Sequence, residues 1–262
     1  MNHFEVQNLT AGYGNNTVLE NISFETQRGE LVGVIGPNGC GKTTLYKAIC
    51  NSLPHEGGCY IDGIELENLS PRELARLCAY VPQRSGITID ISVLDVVLQG
   101  TNPRLKLLEY PSADMIERAI EIIESVGLTG KENMNYMHLS EGQKQLCIYA
   151  RAIMSGAKLL LLDEPESSLD FRYRYQLLCS LKEWIRTNES GAIITLHDPT
   201  LALNFCDRLI VIAEGRIYAE LKRNITSLEE MEEKLSSIYG PLSLQKCVNK
   251  SGYEQIVMLK EN

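Results

Sequence analysis

The chain has 262 residues, a net charge of −9, 44% hydrophobic and 23% charged residues. That balance fits a soluble globular protein with room for a sizeable core, and it argues against a free-standing nucleic-acid binder, which carries a basic patch. No stretch approaches the roughly 18 apolar residues of a membrane span, and the opening MNHFEVQNLTAGYG lacks the basic-then-apolar pattern of a secretion signal. The expected location is cytoplasmic, with any membrane role exercised through a separate membrane partner.

The first elements read as strands: a weakly alternating edge strand over 3–9, a turn over Ala11–Asn16, and further strands over Val18–Phe24 and Leu31–Ile35. Tyr13, on that turn, is either a surface turn residue or an aromatic that stacks on a base. The apolar run ends in Gly36, Pro37, Asn38, Gly39, Cys40 and Gly41, followed by Lys42, Thr43 and Thr44. This is G-x-x-x-x-G-K-[ST] between a strand and a helix, the context of a phosphate-binding loop rather than of a chance glycine turn. Glycines let the backbone N–H groups point inward, and the helix N-terminus adds its positive dipole end. Lys42 reaches the outer phosphates, and the Thr43 hydroxyl is a ligand for Mg²⁺.

A helix over Thr43–Asn51 follows, then a turn at HEGG (55–58), a strand at 59–63, a helix at Pro71–Leu77 capped by Ser70, and a strand over 78–83. Residues 84–150 change character. Ser92–Leu98 has helical spacing, 100–112 reads as loop, and Ser112–Val126 reads as an amphipathic helix with Met115, Ile116, Ala119, Ile122, Ile123 and Val126 inward. A helix starts near Glu141. The run KLLLLDEP (158–165) is a strand buried on both faces that ends in Asp163 and Glu164. A second buried strand, Ala192–Leu196, delivers His197 and Asp198 to the same sheet edge, where ligands of open α/β sheets bind. A helix over Phe171–Arg186 separates them. Asp207–Leu221 reads as a hairpin turning at Glu214-Gly215, and the tail holds an acidic helix and a strand pair near 242–248 and 255–259. The eight cysteines, Cys40, Cys50, Cys59, Cys78, Cys147, Cys179, Cys206 and Cys247, are scattered and argue against a disulfide framework or a zinc site.

With LSEGQ at 139–143 set beside the phosphate loop and LLLLDEP, the sequence resembles the ATP-binding subunits of ABC transporters over about residues 3–222. The resemblance implies a P-loop NTPase α/β fold: a mixed sheet core, an antiparallel β subdomain and an α-helical subdomain over about 84–150. The ATPase domain would span 1–222 and a C-terminal extension 223–262. It also implies roles. Gly36–Thr44 is similar to the Walker A motif and Gln83 to the Q-loop glutamine, which contacts Mg²⁺ or the attacking water. Asp163 would hold Mg²⁺, Glu164 would be the general base, and His197 would contact the γ-phosphate. Tyr13 matches the aromatic that stacks on adenine. Ser140, Gly142 and Gln143 lie in the signature motif, and Asp170 closes the D-loop SSLD. In this family two subunits pair head-to-tail with ATP between Walker A of one and the signature of the other.

The family usually has glycine where this chain has Glu141, and Thr and Ala where it has Glu166 and Ser168. One nucleotide-binding domain without fused spans is similar to importer subunits. YVPQ, SVLDVVLQG and the tail with Ile238–Gly240 resemble the iron-siderophore/cobalamin group. The implied cofactors are ATP and Mg²⁺. The implied partners are a transmembrane permease with an upstream substrate-binding protein, and a second copy of the chain, at the inner membrane face. The competing reading is a soluble ABC ATPase acting as an assembly factor, for example in iron–sulfur cluster assembly.

Overall fold

The computed structural model describes residues 3–106 and 108–261. Leu107, within the stretch expected to be loop, lies outside the described residues. Twelve strands and eight α-helices form three sheets among the described residues. The central sheet has six strands in the order β10-β9-β3-β8-β7-β6: β3 (Leu31–Ile35), β6 (Cys78–Val81), β7 (Leu159–Asp163), β8 (Gly191–Thr195), β9 (Arg208–Ala213) and β10 (Arg216–Lys222). All neighbours in it are parallel except β10, which turns back on β9 through Glu214 and Gly215, both at positive φ.

The central strands are apolar except at their ends because both of their faces are covered. Successive side chains alternate between two cores. Leu160, Leu162, Ala192 and Ile194 join one with the helices α3 (Val93–Leu98), α4 (Ala113–Ser125), α5 (Glu141–Ser155) and α6 (Phe171–Thr187). Leu159, Leu161, Val32, Val34 and Ile193 join the other, with α1 (Lys42–Ile49) and an antiparallel sheet. That sheet has the order β2-β1-β4-β5, from β1 (Phe4–Tyr13), β2 (Asn16–Thr26), β4 (His55–Ile61) and β5 (Ile64–Glu65). The mixed core sheet and antiparallel sheet are those that the resemblance implies.

Several local readings change. The turn expected at 55–58 is the first half of β4, paired with Thr10 and Ala11 of β1. Cross-strand pairing overrides the poor strand propensity of its glycines, and Gly57 (φ 88°) sits at a register shift where a Cβ would lie 2.4 Å from the Gln7 carbonyl. The turn expected over Ala11–Asn16 shrinks to the two residues between β1 and β2. In α4, Ala119, Ile122 and Ile123 are buried, but Ile116 is exposed and Met115 only half-buried. A short helix α7 (Pro199–Phe205), capped by Asp198, was not foreseen. Helix α2 (Pro71–Leu77) has the expected Ser70 cap, completed as a capping box by Glu73. The tail forms α8 (Leu228–Tyr239) and a hairpin of β11 (Leu242–Val248) and β12 (Glu254–Lys260).

Asp62, in the two-residue turn between β4 and β5, joins the two sheets. It accepts from His3 (2.9 Å), Lys158 (2.5 Å) and Arg28 (2.8 Å), and the other nitrogen of the buried His3 lies 2.8 Å from the Lys158 carbonyl. Partial burial opposes ionisation, but the hydrogen bonds from Lys158 and His3 outweigh it and hold the carboxyl at about 2, below the ordinary 3.8. A depressed carboxyl contributes stability that is full above its unfolded pKa and is lost as pH falls through its folded one. Asp62→Asn, which tolerates the positive φ of this turn, should therefore remove about 2 kcal/mol near neutrality. It should also flatten the loss of stability between about pH 4 and pH 2, as read by urea unfolding across that range.

Candidate active site

The carboxyl ends of β3, β7 and β8 meet at one edge of the central sheet. From β3 the chain enters the loop Gly36–Gly41. A Cβ at Gly36 would lie 2.1 Å from the Ile212 carbonyl, so only glycine fits there. Cys40 is buried beneath the loop, with its thiol pKa raised by burial. Helix α1 starts at Gly41 (φ 110°) with no side-chain cap, so its first N–H groups face the loop's concavity. Lys42 donates to the Gly36 carbonyl at 2.8 Å and the Pro37 carbonyl at 3.2 Å, which holds its ammonium across the loop. Asn38, Gly39, Gly41, Lys42, Thr43, Thr44 and Glu164 line a cleft of about 180 Å³. Preorganised N–H donors with one ammonium make a receptor for a polyphosphate.

Asp163 is buried at the end of β7 and accepts three hydroxyls: Thr43 at 2.9 Å, Thr195 at 2.8 Å and Tyr80 at 3.2 Å. Burial, then the neighbouring Asp163 charge, raises the Tyr80 phenol's pKa, so it remains a donor. The Thr195 hydroxyl also accepts the Glu164 amide at 2.8 Å. Glu164 has φ 45°, a left-handed conformation uncommon for a non-glycine residue. Gln83 donates to its carboxylate at 2.7 Å. The cleft thus gathers Lys42, Thr43 and Glu164, while Asp163 and Gln83 adjoin it.

Tyr13 ends β1 and is 47% exposed. Lys47 lies 5.5 Å from its ring centroid, and contacts from Thr44 and then Lys47 lower its phenol pKa. Its ring forms, with Thr10–Gly14 and Leu53–Glu56, the wall of a separate cavity of about 510 Å³. At the other side, Tyr239 of α8 brings its hydroxyl to the Gly36 backbone. Burial pushes that phenol up to about 12, so the tail touches the phosphate loop.

Ser140, Gly142, Gln143 and Asp170 do not line the phosphate cleft. Ser140 and Gln143 form the capping box of α5, and Asp170 caps α6. A Cβ at Gly142 would approach the Ser168 carbonyl to 3.0 Å, so the signature segment packs on the D-loop of its own chain. Glu141 is exposed and paired with Lys144 at 2.8 Å. Its charge is directed along its own helix surface.

His197 is exposed, beyond the end of β8, and its backbone N–H donates to Glu166 Oε1 at 3.0 Å. Glu166 is fully enclosed. Its Oε2 has no hydrogen-bond partner, and burial raises its carboxyl pKa. The sequence gives no site role to this residue or to Tyr80, Thr195 and Tyr239. Thr195 has a faint signal as the one polar position of an apolar strand; Glu166 has only its departure from the family pattern.

A parallel sheet whose carboxyl edge carries this loop, Asp163 and Glu164 defines a P-loop nucleotide hydrolase. The ABC transporter family model matches residues 19–167, more than half of the chain. The hemin import ATP-binding protein HmuV of Rhizobium leguminosarum is 33% identical over 246 residues, covering 90% of each chain. A solved metal-chelate type ABC transporter, in an inward-facing conformation, superposes with TM-score 0.82 at 25% identity, over 100% of this chain and 99% of that one. A dimeric ATP-binding cassette in a post-hydrolysis state bound to ADP and Pi superposes with TM-score 0.74 at 26% identity, over 84% and 98%. The chain belongs to the ABC transporter family, as an ATP-binding subunit and an ATP hydrolase.

Substitutions at two positions check the departures. Glu166→Leu, which leaves the His197 amide without its acceptor, should lower kcat about tenfold with little change in KM for ATP, whereas Glu166→Gln, which keeps the acceptor, should stay within about threefold of the parent. Because the Glu141 carboxylate is occupied by Lys144, Glu141→Gly should retain or raise turnover in a steady-state ATPase assay, and a large loss would assign the acid a needed role.

Proposed function

We propose that this chain powers an importer for a metal chelate or haem, working with a separate membrane permease, an upstream substrate-binding protein and a second copy of itself. The carrying observation is the end-to-end likeness to the metal-chelate type transporter, which extends through the tail after residue 222. Among the described residues no helix is long and apolar enough to cross a membrane. In this reading the chain sits peripherally on the inner membrane face, where its net charge of −9 complements the Lys- and Arg-rich cytoplasmic loops of a permease.

In this reading the triphosphate lies on the Gly36–Thr44 amides and Lys42, with Tyr13 against the base. The Thr43 hydroxyl and Asp163 carboxylate, 2.9 Å apart, are hard oxygen donors and fit Mg²⁺; the Gln83 carbonyl oxygen would complete the protein's share. Mg²⁺ neutralises phosphate charge when bound. Glu164, one residue on, takes the proton of the hydrolytic water, and the Gln83 amide fixes its carboxylate. His197 faces the γ-phosphate, on a backbone tethered by Glu166. Phosphoryl transfer needs little beyond such positioning and charge neutralisation.

Head-to-tail pairing supplies what one chain lacks at its own cleft: the α5 N-terminus at Ser140–Gln143 and Asp170 of the partner. The dimeric cassette with ADP and Pi supports this arrangement. ATP then favours the closed pair, and hydrolysis returns the population to the open one. Assembly-factor work has no comparable observation in its favour.

Glu164→Gln should lose about 10²-fold or more of its hydrolysis while still forming an ATP-dependent dimer on gel filtration. Used as bait with ATP in detergent-solubilised native membranes, it should recover a multi-spanning permease by mass spectrometry. Parent-like turnover would remove Glu164 from its role, and recovery of soluble partners alone would overturn the importer reading.

A further inference from the structure

A second constellation lies outside the nucleotide site, where β4 leaves the segment after α1. His55 Nε2 is 3.0 Å from Glu67 Oε1, and the Cys59 amide donates to the same oxygen at 2.8 Å. The imidazole nitrogen of His55, the Cys59 thiol and a Glu67 carboxylate oxygen all lie within 4.8 Å of one another. The His55 side chain is 4% exposed, and Cys59 is fully buried. Glu67 Oε2 is buried without a hydrogen-bond partner.

The hydrogen-bond pattern leaves room for a cation. His55 Nδ1 faces the Leu53 carbonyl at 3.1 Å, an acceptor only, so Nδ1 carries the ring proton. Nε2 then points at a carboxylate oxygen, also an acceptor. Two facing acceptors require a proton or a cation between them: a second ring proton, a carboxyl proton or a metal ion. The orphaned Oε2 favours the metal, because an imidazolium on Oε1 leaves it without a partner, and the Cys59 thiol, hydrogen-bonded to Glu67, is the third donor at hand. A carbonyl on the distal ring nitrogen is also how metal-ligating histidines are oriented.

We infer that His55, Cys59 and Glu67 form a three-ligand site for a borderline divalent cation of the Zn²⁺ type. One nitrogen, one sulfur and one oxygen ligand select Zn²⁺ over Mg²⁺ or Ca²⁺, which take oxygen sets. Zinc bonds of about 2.0–2.3 Å imply ligand separations of roughly 3.3–3.8 Å, so closure from 4.8 Å needs about 1 Å of side-chain movement. The metal replaces the thiol proton, which leaves to solvent, and no electron moves. His55 pairs with Ala11 in the sheet and belongs to the wall that holds Tyr13, so the cation staples that wall to the β5 side of the antiparallel sheet. The scattered cysteine spacing hid the site, since Glu67 arrives from beyond the β4–β5 turn.

The test is Co²⁺ and Zn²⁺ titration of the reduced, chelator-treated full chain in a Cys179→Ser/Cys247→Ser background, which removes the two exposed thiols. Co²⁺ should raise a thiolate-to-metal charge-transfer band saturating at one equivalent, and Zn²⁺ should displace it. Zn²⁺ at one hundred times its Kd should raise Tm by about 5 °C. Cys59→Ser should abolish the band, and Glu67→Gln, nearly isosteric, should weaken Co²⁺ binding at least about tenfold while ATP binding shows the chain folded. Absence of a one-equivalent band in the parent, or a band unchanged in Cys59→Ser or Glu67→Gln, would overturn the site.

Discussion

The structure depends on one buried carboxylate. Asp163 ends a strand that has no other polar residue, and three hydroxyls from three parts of the chain converge on it. A buried charge without partners is costly, so the hydroxyls of Thr43, Thr195 and Tyr80 must come to it for the sheet edge to close. That requirement ties α1, β8 and β6 to β7 at one point. The same Thr195 hydroxyl accepts the amide of Glu164 and so helps hold the left-handed turn that presents the proposed base.

Two further contacts extend this control. Glu166 reaches the amide of His197, which links the segment after β7 to the segment after β8 without involving the side chain of Glu164 or of His197. Gly142 packs on the carbonyl of Ser168, which links α5 to the same D-loop. In the proposed dimer, a change at the γ-phosphate would pass through the D-loop to the surface offered to the partner. Tyr239 of α8 adds a contact to the backbone of Gly36 in the glycine-rich loop.

The antiparallel sheet is held to the central sheet by the second apolar core and, at the edge away from the nucleotide, by Asp62. Its two inner strands carry Tyr13, at the end of β1, and His55 and Cys59, on β4, with Glu67 arriving from beyond β5. A region that reads in the sequence as a turn carrying Tyr13 and a later glycine-rich turn is one continuous sheet. The wall that carries Tyr13 is therefore only as rigid as the pairing between β1 and β4.

What the sequence by itself determined are the features set by short-range chemistry. The glycine spacing and Lys42 specify a phosphate loop because backbone curvature is local. The run Leu159–Leu162 specifies a strand covered on both faces because no polar position is available to water. Ser70 is legible as a cap for the same local reason. Only the tertiary structure decided which distant groups meet. Glu166 looks like a loop acid until the chain end of β8 arrives beside it. Tyr80 and Thr195 become ligands of Asp163 only through parallel register, and His55 joins a strand only because β1 offers it an edge. These pairings span 31 to 83 residues of sequence, a distance over which periodicity and capping carry no information.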